Sequence, residues 1–178
     1  MSISPPEVWA AIAGAAAGES PLWADALRPD AEREAEPVFS PLTDPRFALA
    51  VETIYEGYLV HYGRPRLFEP ADDDAALVLG DYLYAQGLAR IATLGEVGAV
   101  GDLAELISLC AQGRAERRDG DGPAWAATAS LLGRNALVDA RAALRDDGDA
   151  DLLDRLARDT AGDDAVDEAL EAHFRLVR

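Results

Sequence analysis

The chain has 178 residues, a length suited to one folded domain, and its 49% hydrophobic and 28% charged residues are ordinary for a soluble protein. The formal net charge of −17 is not ordinary. It argues against nucleic acid and anionic membranes as partners, since both are polyanions. There is no Lys, so all basic residues are Arg, which excludes a lysine Schiff base, a P-loop lysine and a lysine clamp on phosphate. Cys110 is the sole cysteine, so an intrachain disulfide and a cysteine metal cluster are excluded and a reducing compartment fits. The segment Met1 to Glu7 has no basic region and does not read as a signal peptide; Val8 to Ala17 is apolar but too short to span a bilayer. The expectation is a cytoplasmic protein without membrane insertion.

Ser4, Pro5, Pro6 and Glu7 make a helix start: a cap, prolines in the first turn, then an acid at the positive end. That helix is expected to reach about Ala17, with Gly18 closing it. Pro29 and Pro37 break the charged stretch from Pro21 to Pro41, leaving a short helix near Leu22 to Leu27 and then a surface loop. Asp44-Pro45 opens the next helix, whose stripe of Phe47, Val51, Ile54 and Tyr58 is amphipathic and which ends near Tyr62, before Gly63 and Pro65.

Asp72, Asp73 and Asp74 then precede a helix running to about Ala92. From Ala75 to Ala89 that helix carries one charge, Asp81, and one amide, Gln86. A helix apolar on all faces is buried on all faces, so it is expected at the centre of a helical domain or between two subunits. A helix from about Glu96 to Ala111 follows, then a charged loop from Arg114 to Gly122. One long helix is expected from Ala124 to Leu144, then short amphipathic helices near Ala150 to Asp159 and Asp163 to Leu176. No β pattern and no internal repeat is present. The fold class is all-α, a bundle of about seven or eight helices in a single domain 1–178. Its parts are an N-terminal helix and loop (1–42), central helices (43–112) and C-terminal helices (113–178).

With His61, His173 and one Cys, neither a zinc site nor a Cys–His nucleophile is indicated. Asp163-Asp164-Ala165-Val166-Asp167 fits D-D-x-x-D literally, but it sits where acids start a helix, and Asp72-Asp73-Asp74 reads the same way. Asp81 calls for a partner: a buried hydrogen bond or an intersubunit ion pair. Tyr55, Tyr58, Tyr62, Tyr82 and Tyr84 read as packing on the two central helices.

The central helices resemble the middle of the trans-isoprenyl diphosphate synthases. Glu52, Ile54, Leu59, Val60 and His61 match the family's E-x-I-H-x-x-x-L-I-H-D-D helix, with Tyr55 at its first histidine. Leu79, Gly80, Asp81, Tyr82 and Leu83 match its L-x-G-D-x-L/F segment, and the Leu94 to Ile107 pattern continues it. The departures fall on the metal-binding acids: Tyr62-Gly63 stands where two aspartates follow the second histidine, and the F-Q-x-x-D-D-x-x-D motif is absent.

A resemblance with those losses implies an isoprenoid-synthase-like fold and a non-catalytic small subunit. It would stabilise the catalytic subunit of a heterodimeric all-trans polyprenyl diphosphate synthase, of the kind that makes quinone side chains, and help set chain length. It implies no cofactor of its own, with magnesium held by the catalytic partner, and no catalytic or metal-binding residue in this chain. Leu79, Asp81, Tyr82, Leu83, Gln86, Leu103 and Ile107 are expected at the partner interface, and Leu59, Tyr62 and Tyr84 beside the product tunnel. The alternatives are a diverged magnesium-dependent terpenoid-synthase-like enzyme using Asp163, Asp164 and Asp167, or a self-associating helical protein; self-pairing into a homodimer is also open when the partner is missing.

Overall fold

The computed structural model describes residues 5–177, so the expected cap Ser4 lies outside the described residues. Those residues form nine α-helices and no named strand. They are α1 (Pro5–Glu19), α2 (Pro21–Asp25), α3 (Ala48–Tyr62), α4 (Asp73–Thr93), α5 (Val97–Glu116), α6 (Asp121–Ser130), α7 (Val138–Asp147), α8 (Asp151–Ala161) and α9 (Asp163–Val177). Three single 3-10 turns carry the chain from α2 to α3. The fold is the all-α bundle expected. Asp44-Pro45 opens a 3-10 turn (Pro45–Phe47), so α3 itself begins at Ala48, and the loop expected from Arg114 to Gly122 is shortened from both ends, by α5 reaching Glu116 and α6 starting at Asp121. Asp72 accepts the Ala75 N–H at 2.8 Å, and Asp73 and Asp74 fill the first turn of α4.

Two further expectations are corrected. The helix expected from Ala124 to Leu144 is two helices, which brings the count to nine. Gly133 and Asn135 both adopt left-handed backbone (φ 80° and 51°), which an α-helix cannot pass through. The turn is built on a buried carboxylate of α5: Asp102 accepts the Gly133 N–H at 2.8 Å and the Arg141 guanidinium at 2.9 Å.

The second correction concerns the centre of the molecule. α4 buries only Leu79, Gly80, Leu83, Gly87 and Ile91, and leaves Leu77 and Val78 more than half exposed. The enclosed helix is α3, buried at every residue from Ala50 to Val60. Lack of charge does not bury α4: three of its outer positions, Ala85, Ala89 and Ala92, are alanines, which tolerate water. The stripe of Phe47, Val51, Ile54 and Tyr58 is only one of the buried faces of α3; Glu52 and Glu56 are buried as well because both are paired with Arg66.

α3 and α4 cross closely through glycines. A Cβ on Gly57 would stand 2.9 Å from the Gly80 carbonyl oxygen, and one on Gly87 would overlap Ile54. The pair divides two apolar clusters. On one side Ile54, Tyr55, Tyr58 and Leu59 pack with α5, α6, α8 and α9. On the other, Val60, Leu79 and Leu83 pack with Trp9 and Ile12 of α1 and Trp23 of α2.

Candidate functional site

The outer face of α4 stands in water with apolar side chains along it. Leu77 (56% exposed) and Val78 (54%) lead a stripe continued by exposed Ala85, Ala89 and Ala92 and half-buried Leu88. Positions 77, 78, 81, 85, 88, 89 and 92 share one side of a 3.6-residue helix. Asp81 is the only charge on it between Ala75 and Ala89. Asp81 therefore lies at the surface, correcting the expectation of a buried hydrogen bond. Its Oδ1 is 3.3 Å from Nε2 of His61, the penultimate residue of α3. The His61 side chain is 10% exposed and that of Asp81 69%. The imidazole lies against Gly80, where a Cβ would overlap its ring, and beside Tyr84 and Tyr62 at 5.1 and 5.5 Å between centroids. Burial pushes the His61 pKa below its ordinary value, with the Asp81 carboxylate opposing.

A second group of polar side chains is wholly interior. Glu52 and Glu56, one turn apart on α3, both grip Arg66 of the connector to α4. Arg66 Nη1 donates to Glu52 at 2.8 Å and Nε to Glu56 at 3.0 Å. The remaining carboxylate oxygens accept backbone N–H groups: Glu52 from Val38 and Ser40, Glu56 from Arg66 and Leu67. The guanidinium also lies over Trp9 (4.5 Å) and Tyr55 (5.0 Å). This cluster pins two otherwise irregular segments, around Val38 and around Leu67, to the central helix. Sequence reasoning missed it, although a Glu pair at i, i+4 within an apolar helix was the available signal.

A third cluster joins α3, α5, α6 and α9. Tyr58 donates to Asp121, and Arg114 donates to both Tyr58 and Asp121. Tyr55 meets His173 Nδ1 at 2.9 Å, while His173 Nε2 stands 3.7 Å from Asp121 Oδ1, close enough for charge but not for a hydrogen bond. Burial alone would raise the Asp121 pKa; the His173 imidazole, the Tyr58 hydroxyl and the Arg114 charge overturn that and hold it well below the usual aspartate value. Asp121 and Arg114 reach a small cleft also lined by Leu109, Cys110, Ala124 and Leu144. Both phenols are fully buried behind them, and the cluster fastens α3, α5, α6 and α9 to one another. Burial likewise raises the Cys110 pKa far above the usual thiol value, which leaves it a packing residue.

The residues expected at a partner interface divide. Leu79, Leu83 and Leu103 are covered by the chain's own helices and have no surface to offer, because the α3–α4 crossing and the packing of α5 enclose them. Asp81 is exposed, and Tyr82, Gln86 and Ile107 are partly so. Tyr82 is stacked on Trp23. Of the expected tunnel residues, Leu59 is fully buried in the larger core and cannot line another subunit's tunnel, whereas Tyr62 and Tyr84 are half-buried beside His61. At the start of α9, Asp163 and Asp167 both reach Arg158, at 3.5 and 2.8 Å, as helix-start acids with a neighbouring cation. Among the described residues, no group of three or more His, Cys, Asp or Glu side chains is placed to hold a metal ion, and no helix is long and apolar enough to cross a membrane.

The chain matches no family model, no curated protein and no solved structure.

Proposed function

We propose that this chain is a non-catalytic subunit of a heteromeric all-trans polyprenyl diphosphate synthase and meets the catalytic subunit through the outer face of α4. The observation that carries this reading is the apolar stripe from Leu77 to Ala92, standing in water on a chain of net charge −17. Charge of that size keeps copies apart in general, so the near-neutral stripe is where a protein partner approaches with least repulsion. Exposed leucine and valine among small alanines let a second helix come close and bury apolar area. The identity of the partner rests on the resemblance at Glu52 to His61 and Leu79 to Leu83, which places the stripe on the helix bearing the Leu79-Gly80-Asp81 segment. Tyr62 and Tyr84, at the edge of the face, are the side chains that border the partner's product tunnel in this reading.

Co-expression with a full-length polyprenyl diphosphate synthase from the same genome, one carrying both aspartate-rich motifs, tests it. The two chains should co-purify, and the pair should transfer prenyl units while this chain alone does not. The double substitution Leu77→Asp, Val78→Asp should abolish co-purification and leave the fold intact. Magnesium-dependent turnover by the isolated chain, or purification of the synthase without it, overturns the reading.

A further inference from the structure

A partner that covers the α4 stripe must also cover Asp81, the one charge within it. A carboxylate taken out of water without a counter-charge is costly, so a cation has to accompany it. Two sources exist. The partner can bring an Arg or Lys, or this chain can bring His61, already 3.3 Å away.

The geometry points to the second. The imidazole is held in place by the missing side chain at Gly80 and by the rings of Tyr62 and Tyr84, so it loses no freedom when the partner arrives. The groups around it are few. α4 contributes Asp81 and Tyr84, and α3 contributes Tyr62. Arg114 of α5 stands over the Tyr62 ring at 5.9 Å, its charge engaged by Asp121 and Tyr58. The Asp81 carboxylate is therefore the charge that the ring answers to.

We propose that docking on the α4 face is coupled to proton uptake by His61, which becomes the imidazolium counter-ion of Asp81. In the free chain, water screens Asp81 and burial keeps His61 neutral at pH 7.5. Docking removes that water, the attraction between the two groups grows, and the ring binds a proton. The partner surface facing Asp81 is then apolar or neutral, not cationic. This inference rests on the docking face proposed above.

Calorimetric titration of the chain with the co-expressed synthase, in two buffers of different ionisation enthalpy at pH 7.5, reads the proton directly. Uptake of between half a proton and one proton is expected. Affinity should fall with rising pH above neutrality, by at most about tenfold per pH unit for one linked proton. His61→Asn should bind more weakly and take up no proton. Asp81→Asn, a surface change that the fold tolerates, should bind with no uptake and no pH dependence. In the complex, the His61 ring signal, assigned by its loss in His61→Asn, should titrate at higher pH than in the free chain. A complex that forms without uptake means the partner brings the cation and overturns this inference alone. Uptake that persists in His61→Asn places the proton on Asp81 and does the same. Failure of any complex to form at any pH overturns the docking reading, and this one with it.

Discussion

α3 and α4 pack side by side, yet they solve opposite problems. α3 is surrounded by protein and carries two carboxylates, tolerated because Arg66 and four backbone N–H groups satisfy them. α4 meets water along one side and, beyond the acids of its first turn, carries a single exposed charge there, Asp81. Polarity thus runs inside out across this pair. The interior acids hold irregular segments to the central helix, and apolar residues of α4 stand in water. Amino-acid type alone does not assign burial; the partner of each group does.

The contrast can be broken hardest at Arg66. Arg66→Ala leaves two carboxylates buried without their cation, and a loss of about 3–5 kcal/mol is expected in urea denaturation. A loss near zero would mean that the pairing is dispensable. The glycine crossing comes next. Gly87→Ala forces a methyl onto Ile54 and the Ala50 carbonyl and should cost about 1–3 kcal/mol. Gly101→Ala, on the exposed side of α5 with open space around it, should instead stabilise by roughly 0.5–1 kcal/mol.

Acid stability sharpens the picture of the Asp121 cluster. A carboxyl whose folded pKa lies below its unfolded value of about 3.9 contributes stability that is complete above that value and disappears as pH falls towards the folded pKa. Asp121→Asn should therefore flatten the fall in stability below about pH 4 while lowering stability at pH 7. The smallest effect is expected on the outer face of α4. Leu77→Asp should change the stability of the isolated chain by no more than about 0.5 kcal/mol, because the side chain is already in water. A large loss there would show that the stripe belongs to the core after all.

Much of the fold was legible in the sequence. Prolines, glycines and capping acids placed α1, α3, α4, α5, α8 and α9, and the helical period fixed the class. The break after Ser130 was missed because Gly133 and Asn135 interrupt an alanine-rich run that otherwise favours helix. What makes the chain turn there is Asp102, some thirty residues upstream, reaching Gly133 and Arg141. The polar clusters escaped for a related reason: Glu52 finds Arg66 only once the connector folds back on α3, and Tyr58 finds Asp121 only once α3 and α6 are side by side. Of the candidate site, Asp81 was legible as a lone charge on a pale helix. Its neighbour His61 was legible as one of two histidines and as part of a family pattern but not as the partner of Asp81, since nothing local says that Gly80 leaves room for a ring.

The contact between Trp9 and Arg66 has one more consequence. The indole of α1 covers a guanidinium that already answers two carboxylates, so the first helix acts as a stopper over an ionic plug. Trimming the chain ahead of Ser20 would let solvent down to those charges, and the damage would surface around Val38 and Leu67, far along the chain from the cut.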